Sequence, residues 1–287
     1  MPTVTFGENT TNDNNSTCED CLIYEATPNT NQEAAGYLGM GKGAGADRTN
    51  RAVIKFNIKS ALTASGATTI DSAKIYLYPD GKTGNHTISA YRIFRDWNES
   101  QVTWNSWKTG STWSGAGCSS ADDSGVDDGI YDRKATAEDS DSTITIGSYS
   151  LILDITDLAN KWLSGEAKEY GVLLQSNNES QNNYATSDDS EGVDGVKPYL
   201  EITYSVFSGY FSGTVYELEN TISGAQIYAY RRDTGEYIGS TTSSGDGSFY
   251  VETSYSGSHF LVCLDPVGGQ SYNDLIYGEM YPITISG

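Results

Sequence analysis

The chain has 287 residues, 37% of them hydrophobic, which is enough for one or two packed cores and too many for a disordered chain. Its 38 acidic residues against 17 basic ones leave a formal charge of −21, and so acidic a surface repels phosphate backbones and anionic lipid heads, which argues against nucleic acid as a partner. No run of about 20 apolar residues occurs, so no membrane insertion is expected.

At the N-terminus, MPTVTFGENTTNDNNSTCED has neither the basic start nor the apolar run of a secretory signal. The expectation is a protein used without a leader, exported by another route, or trimmed. Cys18 and Cys21 form a C-x-x-C in a polar segment. A four-thiolate zinc site needs a second close pair, and a thioredoxin-like site needs a βαβ setting. Free thiols are therefore expected, or at most a bridge from Cys18 to Cys21 or to Cys118.

The segments AVIKFNI (52–58), AKIYLYP (73–79) and HTISAYRIF (86–94) are β-branched and aromatic, often alternate, and are bounded by Gly, Asn, Asp and Ser, as strands are. The next stretch, RDWNESQVTWNSWKTGSTW (95–113), holds four of the five tryptophans. A turn at 98–100 would bring Trp97 and Trp104 into one core. Trp107 and Trp113 lie among Ser, Thr, Gly and Lys and are expected to be exposed. With Tyr131 they are the candidates for stacking on sugar rings.

Two acidic loops follow, at 121–142 and 187–197. Calcium takes six to eight oxygens gathered in one loop, which makes Asp122, Asp123, Asp127 and Asp128 candidate ligands, with Asp188 and Asp189 behind them. Neither loop follows the EF-hand order, and solvated turns are the competing reading. No cofactor is required, and calcium is the one possible ion.

Further strands are expected in STITIGSYSLILDI (142–155), YGVLLQS (170–176) and PYLEITYSV (198–206). Between them, DITDLANKWLSGEA reads as the one short helix: Thr156 or Asp154 can cap it, Leu158, Trp162 and Leu163 recur at helical spacing, and Gly165 ends it. Trp162 is assigned to the core. Beyond YSVFSGY, short strands joined by TG, SGDG and SG turns make a second unit, in which Cys263 within HFLVCLD reads as a small core residue.

The fold expected is all-β. Residues 1–205 form an antiparallel β-sandwich with one short helix, and residues 206–287 form a smaller immunoglobulin-like or transthyretin-like β-sandwich. Residues 1–205 carry 15 basic and 29 acidic groups and residues 206–287 carry 2 and 9, so the acidity belongs to both units. Catalysis is not expected. The two histidines, His86 and His259, sit in strand-like runs, and neither G-x-S-x-G nor a phosphate-binding glycine loop is present.

RAVIKFNI, ATTIDSAKIYLY, HTISAYRIFRDWNESQVTWNSWKTGSTW, LILDITDLANKWLSGEAKEYGVLLQS and YATSDDSEGVDGVKPYLEITY follow one another in an order that resembles the DNRLRE family over residues 4–205. This disaggregatase-related jelly-roll module is grouped with carbohydrate-binding modules. The resemblance implies that W-x-E-x-x-V-T-W-N is a structural lock placing Trp97 and Trp104 in the core. The stretch GTVYELENTISGAQIYAYRRDTGEYIGSTTSSGDGSF resembles carboxypeptidase-regulatory-like sandwiches, and LDPVGGQSYNDLIYGEMYPI resembles the close of such modules in tailed-bacteriophage virion proteins.

The pairing implies a non-enzymatic structural or decoration protein of a phage virion, a head or tail appendage assembled in the host cytoplasm. Its partners would be capsid or tail proteins and host-surface glycans, in an oligomeric or lattice-bound state. A carbohydrate-binding adhesin module and a prokaryotic cell-surface or filament subunit are the alternatives. Docking is assigned to Tyr272, Leu275, Ile276 and Tyr277.

Overall fold

The computed structural model describes residues 1–7, 18–42, 48–83, 86–123, 129–181, 183–186, 196–217, 219–266 and 275–285. Two compact units emerge: Met1–Ala64 with Thr69–Ser205, and Val206–Gly287 with Ser65–Thr68. Both are β-sandwich structures with little helix.

In the first unit a four-stranded sheet has the order Thr3–Phe6, Tyr199–Val206, Ala67–Leu77, Leu151–Asp154. Strict alternation buries Ile75, Leu77, Leu151, Leu153, Leu200 and Ile202 on one face and leaves the other face to solvent. The second sheet runs Asp139–Asp141, Ile88–Arg92, Val172–Ser176, Thr49–Phe56, Cys18–Tyr24, with Gly41–Lys42 also paired to Thr49–Phe56. Its central strands do not alternate: Arg51, Ala52, Val53 and Ile54 are all buried. A strand apolar at consecutive positions is covered on both faces.

What covers one of those faces is the tryptophan-rich block. Cys21, Ile23, Val53 and Leu173 of the sheet pack with Ile93, Trp97, Val102, Trp104, Trp113 and Cys118 into one cluster. The block is thus a third layer laid on the sheet. Trp97 donates its indole N–H to the Tyr170 carbonyl at 2.7 Å, and the Lys55 ammonium sits 4.6 Å from its ring centre. The Arg51 guanidinium lies 5.3 Å from the Trp104 ring and fastens the layer by hydrogen bonds to Glu179 and to the Gly117 carbonyl. The carboxylate of fully buried Asp132 closes the loop, accepting from the N–H groups of Ser114 and Gly115 at 2.8 Å each and from Arg95 at 3.2 Å.

The helix Thr156–Ser164 buries Leu158, Ala159 and Trp162. Asp154 accepts from the Thr156 N–H at its start, and Gly165, at φ 85°, donates back to the Lys161 and Trp162 carbonyls at its end. A second helix, Lys59–Ala64, is one the apolar spacing did not signal: six residues with a single buried side chain, Leu62, carry too little periodicity. No disulfide joins Cys18 to Cys21 or Cys118. Burial pushes the Cys21 thiol up to about 12 and the Cys118 thiol higher still.

The second unit pairs Ser248–Thr253, Gly209–Thr214 and Ile283–Thr284 in one sheet and Tyr237–Thr242, Gln226–Arg231, His259–Leu264 and Leu275–Met280 in the other. Its buried apolar side chains are few: Phe211, Ala225, Ile227, Ala229, Val251 and Leu261. His259 is wholly buried; its Nδ1 donates to the Gly257 carbonyl at 2.8 Å and its Nε2 accepts from the Thr253 hydroxyl at 3.0 Å. Cys263, expected in this core, is instead partly exposed near the edge strand, so a small apolar run did not by itself fix its depth.

Candidate functional site

Trp113 and Trp107 are not an exposed pair. Trp113 is 5% exposed and donates its indole N–H to the Thr103 carbonyl at 2.9 Å, an anchor within the third layer that its polar neighbours in sequence conceal. Trp107 is half-buried against the same cluster, with the Lys108 ammonium 4.4 Å from its ring centre. Tyr131, next to the buried Asp132, is half-buried. Trp113 is turned inward, so the three do not form an exposed trio. Trp97, Trp104 and Trp162 are buried.

A different aromatic group is brought together on the outer face of the four-stranded sheet. Alternation turns Tyr76 and Tyr199 outward on adjacent strands, and their rings stack with centres 4.6 Å apart and planes 8° from parallel. Tyr149, in the loop leading into Leu151–Asp154, meets Tyr199 edge-on at 5.0 Å, and Tyr78 meets Tyr149 edge-on at 5.3 Å. All four rings are half-exposed. The Tyr149 hydroxyl donates to the Lys197 carbonyl at 2.8 Å, and Glu201 hydrogen-bonds Tyr76.

Burial, helped by Tyr76, Glu201 and Tyr149, pushes the Tyr199 phenol up to about 12, and burial with Glu201 raises Tyr76 as well. The phenols therefore remain neutral donors at any physiological pH. Flat apolar rings edged by hydroxyl and carboxylate groups suit a ligand with one apolar face and a hydroxylated rim.

The sequence from residue 20 to residue 202 matches the model of the disaggregatase related repeat domain, which is more than half of the chain. The chain belongs to this family. No curated protein matches it. The disaggregatase-related match begins inside Cys18–Tyr24 and ends inside Tyr199–Val206, so it takes in the third layer and all four tyrosines of the outer face.

Elsewhere in the disaggregatase-related domain, Asp71, Glu138, Asp139, Asp154 and Asp157 line an acidic groove of about 380 Å³. Four of these five carboxylates are engaged by neighbouring groups. Asp139 accepts from the Asp154 N–H, Asp154 from the Thr156 N–H and hydroxyl, Asp71 from the Ser205 hydroxyl, and Glu138 pairs with Lys134. Of the calcium candidates, Asp123 accepts from the Thr136 N–H and hydroxyl, which lowers its pKa, and Asp122 lies on a two-residue strand paired with Arg133–Lys134. Asp127, Asp128, Asp188 and Asp189 lie outside the described residues. Among the described residues no three His, Cys, Asp or Glu side chains converge as metal ligands would. Of the docking residues, Leu275, Ile276 and Tyr277 are exposed on an edge strand of the second unit, and Tyr272 lies outside the described residues.

Proposed function

We propose that the chain is a non-enzymatic surface protein that binds glycans through the tyrosine face of its disaggregatase-related domain and is held in place by its second unit. The observation that carries this reading is the gathering of Tyr76, Tyr78, Tyr149 and Tyr199 on one half-exposed face. A pyranose ring stacks its C–H face on a phenol while its hydroxyls meet Glu201, the tyrosine hydroxyls and the polar edge of the sheet. The kinship of this family with carbohydrate-binding modules supports the same conclusion.

The place proposed for such a protein is the outside of a tailed-phage virion, as a head or tail decoration that touches the glycans of the host. The likeness of the second unit to virion modules supports this. Mass spectrometry of purified particles checks it, with the chain expected at a fixed stoichiometry. Its absence from particles and presence in cell-envelope fractions would return the cell-surface reading.

The glycan reading has its own test. On a glycan array the intact chain should retain at least one class of oligosaccharide. Tyr76→Ala and Tyr199→Ala should each weaken retention roughly tenfold, the scale of one lost ring contact of about 1–1.5 kcal/mol, while Trp107→Ala leaves it unchanged. No retained sugar, or retention indifferent to both tyrosine changes in folded protein, refutes it.

A further inference from the structure

Among its described residues, the second unit is open along one flank. Gly209–Thr214 pairs over its whole length with Ser248–Thr253, but on its other side Ile283–Thr284 reaches only Gly209 and Tyr210. Leu275–Met280 pairs in the opposite sheet, and Pro282 lies between the two segments. The Ser208 carbonyl accepts from the Ile285 N–H on this side, so antiparallel alternation aims the N–H and C=O of Ser212 and Thr214 the same way. Among the described residues no strand meets them there. Ser212 and Gly213 are exposed.

Facing this edge is a second one. Among the described residues Leu275–Met280 pairs only with His259–Leu264, and Ile276 on it is 71% exposed. Between the two edges lies a cavity of about 200 Å³ walled by Ser212, Thr214, Leu275, Tyr277 and Met280, with Ile227, Phe249 and Leu261 beneath. A neighbouring cavity of about 230 Å³ shares Val215, Cys263 and Leu275 with it. Among the described residues, the sandwich has an unpaired backbone edge set directly over an apolar floor.

We propose that this flank receives an added β-strand: an extended segment of a partner protein, apolar at alternate positions and flanked by Lys or Arg. Main-chain bonds to Ser212 and Thr214 would hold it, and every second side chain would enter the cavity. Charge selects the occupant. The unit carries two Arg against nine acids; Glu217 and Asp265 line the neighbouring cavity, Glu279 stands on the Leu275–Met280 strand, and Arg232 lies beside Gly278 of that strand. A second copy would bring another −21 to the same place, whereas a cationic segment is drawn in. The inference rests on the reading of this unit as the anchor and names the chemistry of what it docks to.

The probe is a fluorescent synthetic peptide of alternating Thr and Val with two Lys at each end, titrated into the full chain, with a counterpart carrying Glu in place of Lys. The Lys peptide should bind roughly tenfold or more tightly than the Glu peptide. Hydrogen exchange should show the Ser212 and Thr214 amides exchanging quickly in the free chain and slowly when it is saturated, while the already paired Tyr210 amide stays slow throughout. Ser212→Pro, which removes the outward N–H, should abolish binding. If that variant does not fold, the exposed Tyr277→Lys, which removes an apolar wall and adds a charge like that of the peptide, should weaken binding instead. Absence of binding, unchanged exchange at both amides, or dimerisation of the free chain through this edge in light scattering overturns the proposal. Loss of the chain from particles while peptide binding persists would sink the anchoring reading alone.

Discussion

Gly117 shows how much a single residue of the third layer has to satisfy. Its φ is +70°, a Cβ there would lie 2.6 Å from Cη2 of the Trp104 ring, and its carbonyl takes the Arg51 guanidinium. Gly117→Ala therefore meets both left-handed backbone strain and a clash with a ring that is itself packed, and should cost about 2–4 kcal/mol. Gly110 has a similar φ of +76° with nothing near its missing Cβ, so Gly110→Ala should cost about 1 kcal/mol or less. Urea unfolding of the two variants measures the difference; equal losses would mean that the Trp104 contact is worth nothing. The neighbouring Trp113 marks the limit of reading residues by their surroundings in sequence. Ser, Thr and Gly on either side say only that the backbone is turning, and the depth of the ring is set by Thr103, ten residues away, whose carbonyl takes its N–H.

Most strands were legible, because β-branched runs bounded by turn residues leave few alternatives, and so was the helix with Gly165 at its end; of the strand expected over 142–155 only Leu151–Asp154 forms, since Gly147 and its serine neighbours turn the chain before it. What the sequence did not disclose was pairing. Tyr76, Tyr78, Tyr149 and Tyr199 are spread over more than a hundred positions, and only the placement of Tyr199–Val206 beside Ala67–Leu77 brings their rings together. Nor did a list of tryptophans reveal a third layer, although the unbroken apolar run AVI in the central strand was a sign that both faces of its sheet are covered. The tyrosine face has a pH signature of its own. Tyr199 titrates near 12 in the folded chain, against about 10 when unfolded, so above pH 10 the unfolded state loses its proton first. The stability this neutral phenol contributes is whole below pH 10 and declines up to about pH 12. Thermal unfolding of the first unit should fall across that window, and Tyr199→Phe should flatten the decline; an unaltered slope would mean that other groups govern it.

At the scale of the whole chain, electrostatics pulls in two directions. Ion pairs such as Arg51–Glu179, Arg95–Asp132 and Arg231–Asp233 stabilise and are weakened by salt, although the exposed ones contribute little. Repulsion among the surplus acids destabilises and is also weakened by salt. Counting decides which wins. Even if every one of the 17 cations paired with one carboxylate, 21 of the 38 acids would remain without a counter-charge, and they are shared between units of −14 and −7. The pairs with most to lose are also those least reached by ions, since the Asp132 carboxylate is wholly buried and the Arg51 side chain nearly so. Raising sodium chloride from about 10 mM to about 0.3 M shortens the screening length from about 30 Å to below 8 Å, which removes most repulsion between surface acids and leaves the buried pairs intact. Both units should therefore unfold at higher temperature as salt is added, by a few degrees each in calorimetry at neutral pH. Unfolding temperatures that fall with salt would show that the ion pairs outweigh the surplus acids.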